Sequence, residues 1–335
     1  MGIRDLNKFL SINVPDGIRQ VDLKKLKGKK VAIDTSIFLY KYIYKNDCFL
    51  EGFFQQIFRL VSNNIVPIYV FDGIPPEEKS HVLNGRRRKR KNLENKKNEL
   101  TKEYNTKINN DKEYDARKIL EEIDKINKKN IKIKPEHITK LKYMFDMMGI
   151  KYVHPDCEAD IYCNVLCQNN VVEFCISDDM DLLTGCNLLI RNFKISSNYV
   201  SIYNLNNILN TLHITKEQWV DLCILCGCDY TKTIKGINYL NAYKLILKYG
   251  NIENIIKNIT DILGDGVNLD NFNYIICRKI FNTYNTLNTR LDKQLINIGY
   301  LWGNQYNDIL NYIKQETKLT NKQIITRLNR IYKIN

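Results

Sequence analysis

In residues 29–36, KKVAIDTS, a short apolar run rich in β-branched side chains ends on an acid, Asp34, and passes into a helix-like segment at 37–44. The same grammar of strand, acid and helix recurs twice. VPIYVFD at 66–72 closes on Asp72 and is stopped by Gly73 and the Pro75-Pro76 pair. VVEFCIS at 171–177 leads into Asp178, Asp179 and Asp181. Strands separated by helical stretches predict an α/β fold, with a doubly wound, mainly parallel sheet flanked by helices, in which ligands gather beyond the carboxyl ends of the strands. Three of those ends carry carboxylates.

Between the second and third strands the composition changes. From 75 to about 136 large apolar clusters are almost absent, and residues 86–97 hold eight basic side chains against one acid, Glu94. Such a segment contributes little core: as helix it would be a solvated, largely basic projection inserted into the fold, and as loop it would be far longer than the usual connection, which itself points to function or disorder. ITKLKYMFDMM at 138–148 restores an amphipathic helix, and the chain from Thr215 onward reads mainly as helices broken at Gly227, Gly236 and Gly250. No internal repeat or Pro/Ser-rich linker divides the chain. One integrated domain over 1–335 is expected, made of regions 1–74, 75–136, 137–229, 230–250 and 251–335.

The 335 residues carry 51 Lys and Arg against 37 Asp and Glu, a net charge of +14. That surplus favours a polyanionic partner. An AT-rich genome is the competing cause, since the chain also holds 42 Asn; where the charge sits separates the two. No apolar run is long enough to cross a membrane and the N-terminus lacks a secretory pattern, so the expectation is an intracellular protein with no membrane partner. Ten cysteines in such a chain read as reduced core thiols. Cys223-x-x-Cys226-x-Cys228 has no second pair at zinc-ligand spacing.

Seven acids follow apolar strands or open helices: Asp34, Asp72, Glu158 and Asp160 in DCEAD, Asp179 and Asp181 in SDDMD, and Asp229 in CGCDY. Alone, any one of them is an ordinary cap or turn residue. Together they would repel unless cations held them, and oxygen-only donors point to Mg²⁺ or Mn²⁺ rather than Zn²⁺. Two such ions suit in-line phosphodiester hydrolysis.

MGIRDL, VAIDTS, YVFDGIPPEEKS, MGIKYVHPDCEAD, ISDDMDLL and VDLCILCGCDYTKTIKGI stand in the order and spacing of the flap endonuclease family of structure-specific 5′ nucleases, which this chain resembles over about residues 1–250. The resemblance implies a PIN-like 5′ nuclease fold with an inserted helical arch and a helix-two-turn-helix. It also implies a metal-dependent enzyme that cuts DNA where a 5′ single-stranded flap meets duplex. Two Mg²⁺ would be held by the seven acids. Of these, Asp160 replaces the family's second glutamate and reaches one methylene less.

Further positions follow from the same resemblance. Met1 is removed, leaving Gly2 near the site; Tyr40 stacks on a base; Lys79 and Arg86 contact the scissile phosphate; Arg87, Arg88 and Arg90 continue the basic arm. TIKGIN at 233–238 matches the duplex-binding turn, where K⁺ could bind. Gly236 is kept, but Asn238 replaces a glycine, and Leu240 and Asn241 replace a basic pair, so Lys235, Lys244 and Lys248 are the candidate phosphate contacts. The sliding-clamp motif is degenerate in ITRLNRIY at 325–332, with Ile325 in place of Gln, and an ordinary amphipathic helix is expected there. The expected partner is flapped or junction DNA, the expected state a monomer, the expected place a nucleus or viral replication compartment. A mismatch-repair-type 5′→3′ exonuclease of the same superfamily and a non-catalytic DNA-binding scaffold are the alternatives. The Arg-rich arm argues against a junction resolvase. The acids argue against a pure binder. An Asp-x-Asp phosphatase is set aside because Leu182 and Leu183 follow its second acid.

Overall fold

The computed structural model describes residues 2–45, 48–109, 113–282 and 306–332. Its strands are β1 (Ile18–Asp22), β2 (Lys30–Asp34), β3 (Val66–Val70), β4 (Lys151–Val153), β5 (Phe174–Ile176), β6 (Leu188–Arg191) and β7 (Tyr199–Asn204). They lie in the order β1-β7-β6-β5-β2-β3-β4. The five strands from β6 to β4 are mutually parallel, while β7 and β1 close one edge antiparallel. Chain order runs outward from β2 to β3 and β4 on one side, and from β5 to β6 on the other. The direction of winding therefore reverses between β2 and β5, and a doubly wound sheet opens its ligand crevice at that reversal.

Alternation along the central strands β2, β3, β5 and β6 buries both faces. Ala32, Ile68, Val70, Cys175 and Leu189 face one apolar cluster, with Leu6, Phe9, Leu166, Trp219 and Ile224. Val31, Ile33, Tyr69, Phe71, Ile176 and Ile190 face the other, with Phe53, Phe54, Phe145 and Leu328. A side-chain period of two turns one continuous hydrophobic run into two cores. The helices on the first face are α1 (Leu6–Asn13), α7 (Ala159–Gln168), α8 (Leu205–Leu212), α9 (Lys216–Cys226), α10 (Tyr239–Tyr249), α11 (Ile252–Lys257), α12 (Ile259–Leu263) and α13 (Tyr274–Phe281). The second face is covered by α2 (Thr35–Lys45), α3 (Phe49–Ser62), α6 (Pro135–Met148), α14 (Tyr306–Glu316) and α15 (Asn321–Tyr332).

The inserted segment is two long helices, α4 (Ser80–Asn109) and α5 (Glu113–Lys129), packed on each other. The segment takes the helical form and adds nothing to the sheet cores, but one face of it is not solvated. Ala116, Ile119, Ile123 and Ile126 of α5 are buried and belong to neither sheet core. Their three-to-four-residue spacing is a narrow apolar seam, matched on α4 by partly buried Leu93, Leu100 and Tyr104. Ion pairs flank it, Lys96 to Glu122 at 2.5 Å and Lys107 to Asp115 at 3.8 Å. The arm thus carries a small core of its own.

Candidate active site

β2 ends on Asp34 at the winding reversal, and its neighbour β5 runs out at Ser177. Ser177 Oγ donates to Asp34 Oδ2 at 3.1 Å and accepts from the Asp179 amide at 3.0 Å, joining the two strand ends. Asp34 Oδ1 also accepts from the Ile37 amide at 3.3 Å, capping α2. Asp179 Oδ1 accepts from the Asp181 amide at 3.1 Å, and Asp181 opens a single 3₁₀ turn.

On the other side of β2, the segment after β3 is joined to the loop before α7. Gly73 and Ile74 amides donate to Cys157 and Asp156 carbonyls at 2.9 and 3.1 Å, and Asp72 Oδ1 accepts from the Ala159 amide at 2.9 Å. A Cβ on Gly73 would lie 2.1 Å from the Pro155 carbonyl oxygen, so this close approach requires glycine. Glu158 is the N-cap of α7 and Asp160 sits in its first turn, both at the positive end of the helix. Asp229 follows α9 through Gly227.

Asp34, Glu158 and Asp181 are buried, whereas Asp72 stands at the exposed rim. Burial, then Asp72 and Asp160, pushes the Asp34 carboxyl well above its ordinary value. Burial followed by Asp179 does the same to Asp181. Burial and then Glu158 raise Asp160 to about 7. These acids share one electrostatic pocket, because the charges of the others help to displace each of the three.

Glu158 Oε2 and Asp181 Oδ1 are buried without a hydrogen-bond partner. Orphaned carboxylate oxygens in an oxygen-only donor set are what a hard divalent cation completes, so the residues fit Mg²⁺ or Mn²⁺. The acids are spaced more widely than a closed ligand cage. Among the described residues, the trio whose donor atoms all lie within 4.8 Å of one another is Cys167, Cys175 and Cys186.

Two cations enter the pocket from the base of the arm. Lys79 Nζ is 2.6 Å from Glu158 Oε1 and 5.6 Å from the centre of the Tyr230 ring. Burial opposes its charge, but Asp160 and Glu158 outweigh that and hold the ammonium above its ordinary pKa. Arg86 Nη2 reaches Asp229 Oδ2 at 2.8 Å from a half-exposed position. Arg87 and Arg88 are exposed, and Arg90 Nη2 donates to the hydroxyl of exposed Tyr40 at 3.3 Å. Gly2 lies against the acids: a Cβ there would stand 2.0 Å from Asp179 Oδ1 and 2.4 Å from Asp181 Oδ1. Met1 lies outside the described residues.

In the turn TIKGIN at 233–238, Gly236 has φ +96°. Asn238 does not occupy a left-handed position. Its φ of −145° is extended, and it caps α10, accepting from the Leu240 amide at 2.8 Å while its own amide donates to Asn241 Oδ1 at 2.7 Å. The two asparagines thus close a helix start reciprocally, which explains the loss of the glycine. Lys235, Lys244 and Lys248 are exposed, the last two one turn apart on α10. In α15, Leu328 and Ile331 are buried in the core beside α3 and Ile325 is exposed, as an amphipathic terminal helix requires.

Three features had escaped the sequence. Ser177 was hidden in the run of acids beside it. His154 Nε2 lies 2.8 Å from the Asp72 carbonyl oxygen while Lys142 Nζ sits 2.8 Å from His154 Nδ1, a contact set only by tertiary packing. A cleft of about 520 Å³ gathers Lys41, Lys45, Arg59, Lys194 and Arg327 around Glu51 from separated segments.

Residues 1–93 match the XPG N-terminal domain and residues 149–229 the XPG I-region. Flap endonuclease 1 of Enterocytozoon bieneusi is 33% identical over 303 residues, covering 85% of this chain and 79% of that protein. The chain belongs to the flap endonuclease family. Flap endonuclease 1 of Aedes aegypti is 32% identical over 299 residues, 84% of this chain and 74% of that one. The flap endonuclease fold is also that of the catalytic core of Rad2, solved in complex with DNA substrate. That core aligns with a TM-score of 0.71 at 20% identity over 99% of this chain and 100% of its own. Flap endonuclease-1 from Methanococcus jannaschii aligns at 0.62 and 21% identity, covering 94% of this chain and 95% of that one. Flap endonucleases are metal-dependent nucleases, consistent with the orphaned oxygens of Glu158 and Asp181.

Proposed function

We propose that the protein is a 5′ flap endonuclease with 5′→3′ exonuclease activity, cutting DNA at single-strand/duplex junctions during replication and repair. The observation that carries this reading is the meeting of Asp34, Asp72, Glu158, Asp160, Asp179, Asp181 and Asp229 in one cleft into which Lys79 and Arg86 reach. These carboxylates would hold two Mg²⁺, or Mn²⁺ in their place. Bound there, the ions would supply an activated water and a counter-charge for the departing oxygen.

The chain's own groups bind and orient the DNA. Lys79 stays protonated wherever the acids are ionised and donates to the scissile phosphate. Arg86, half-exposed and held by a single ion pair, turns from Asp229 to a phosphate oxygen as DNA arrives. Tyr40 offers its ring to the unpaired base beside the cut, with Arg90 steadying its hydroxyl. Arg87 and Arg88 line the arm along the 5′ strand. Lys235, Lys244 and Lys248, beside the Gly236 turn, take phosphates of the duplex, replacing the family's basic pair.

A 5′-end-labelled flapped duplex incubated with magnesium tests the reading. The expected product is the whole flap, released at the junction, with no product in EDTA. Cleavage spread evenly along the single strand, or none at all, would contradict it.

A further inference from the structure

Away from the carboxylates, three thiols meet. Cys167 Sγ lies 3.4 Å from Cys175 Sγ and 3.4 Å from Cys186 Sγ, and all three sulfurs fall within 4.8 Å of one another. They come from three elements: the last turn of α7, the middle of β5, and the loop between the Asp181–Thr184 turn and β6. Cys175 and Cys186 are fully buried, and Cys167 is partly open to solvent, which leaves an entry path. Sequence spacing gives no sign of the trio, because the packing of α7 on β5 and the pairing of β5 with β6 bring the sulfurs together.

The geometry suits one ion better than one covalent bond. A cation bound to three sulfurs at about 2.3 Å in a plane sets them about 4.0 Å apart, an adjustment of roughly 0.6 Å from the two 3.4 Å edges. A disulfide needs a sulfur separation of about 2.05 Å and would strand the third thiol. The donor set is three soft sulfurs without an imidazole or carboxylate. A structural zinc site takes four protein ligands, whereas thiolates select copper(I) and a d¹⁰ monovalent ion accepts three. Lys216 lies close enough to Cys186 to interact with it electrostatically, and would offset the excess negative charge of three thiolates around one positive ion.

We infer that Cys167, Cys175 and Cys186 form a three-thiolate site for a soft monovalent cation of the copper(I) class. Binding forms three metal–sulfur bonds, and the thiol protons pass to solvent with no change of oxidation state. The occupied site ties the end of α7 to β5 and to the turn after Asp181. Glu158 caps the far end of α7 and Asp160 lies in its first turn, while Asp179 lies between β5 and the turn that Asp181 opens. The two metal chemistries do not compete, since the pocket of hard oxygens rejects the ion that the sulfurs prefer.

The test titrates reduced, anaerobic protein with Cu(I) in the presence of a chromophoric Cu(I) chelator. One equivalent should be withdrawn from the chelator, with ultraviolet thiolate-to-copper absorption and a rise of at least about 5 °C in Tm, as expected for a ligand bound to the native state alone. Cys175→Ser and Cys186→Ser should each weaken binding at least about 100-fold. Cys167→Ser, at the partly exposed position, repeats the test should the buried variants fail to fold. Cys277→Ser, which breaks the 3.8 Å Cys228–Cys277 thiol contact instead, should bind as wild type does. The inference is overturned if no copper leaves the chelator, if Cys167→Ser binds undiminished, or if Zn²⁺ occupies the trio in preference to Cu(I).

Discussion

Asp160 shows how far a single residue is bent by its surroundings. Burial, followed by the charge of Glu158, lifts its carboxyl from the ordinary 3.8 to about 7, and Asp34 and Asp181 are displaced in the same direction. The folded chain therefore keeps protons that the unfolded chain has already released. The stability these acids contribute is present below pH 4 and is lost as the pH rises toward 7. Divalent cations held by these acids would replace those protons and should reverse the trend. In EDTA the Tm is expected to fall between pH 4.5 and 8; with magnesium the fall should be smaller, and the gain from metal largest at pH 8. Differential scanning fluorimetry across that range checks it, and equal slopes with and without magnesium would count against a shared ion site. Six of the acids stood out in the sequence because each ends or follows a strand or lies at a helix start, whereas Asp229 follows the helix α9 and stood out only within its motif. Ser177, which bridges two strand ends, and His154, which holds the Asp72 carbonyl, did not stand out, since their roles depend on which strands become neighbours.

Among the elements, the α4–α5 arm departs most from its sequence reading. Its charge was evident, but its seam was not: residues 116, 119, 123 and 126 are too sparse and too mixed with charge to mark a core until a second helix lies against them. Because the seam joins neither sheet core, the arm should open without unfolding the rest. Burying one isoleucine contributes about 1.5–3 kcal/mol, so Ile119→Asn with Ile123→Asn should remove most of the hairpin's stability. Trypsin is expected to cut this variant within the arm at least about tenfold faster, while Tm shifts by less than about 3 °C. A large fall in Tm would show that the arm is integral to the core. In the turn at 233–238 Gly236 was legible, but the capping role of Asn238 was not, since an asparagine can serve either a left-handed turn or a helix cap. Only the capping partner, Asn241, distinguishes the two.

For the molecule as a whole, the sheet reversal between β2 and β5 and the net charge of +14 divide the surface into two kinds of ground. Half of that net charge sits in residues 86–97, beside a pocket where acids are concentrated, so drift in composition alone does not explain it. The doubly wound, mainly parallel sheet that creates the pocket was legible as alternating strands and helices, and the antiparallel edge of β7 and β1 was not, because both strands mix polar residues into the pattern. A basic arm next to an acidic, cation-ready cleft is the arrangement that draws a polyanion in and then cuts it. Single-turnover cleavage of a 5′-flapped duplex, comparing wild type with Asp179→Asn plus Asp181→Asn at saturating enzyme and fixed salt, probes that arrangement at its chemical centre. The predicted result is a rate at least about 1,000-fold slower with flap binding retained, since removing charge that organises a transition state costs several kcal/mol. An undiminished rate in the double variant would contradict it.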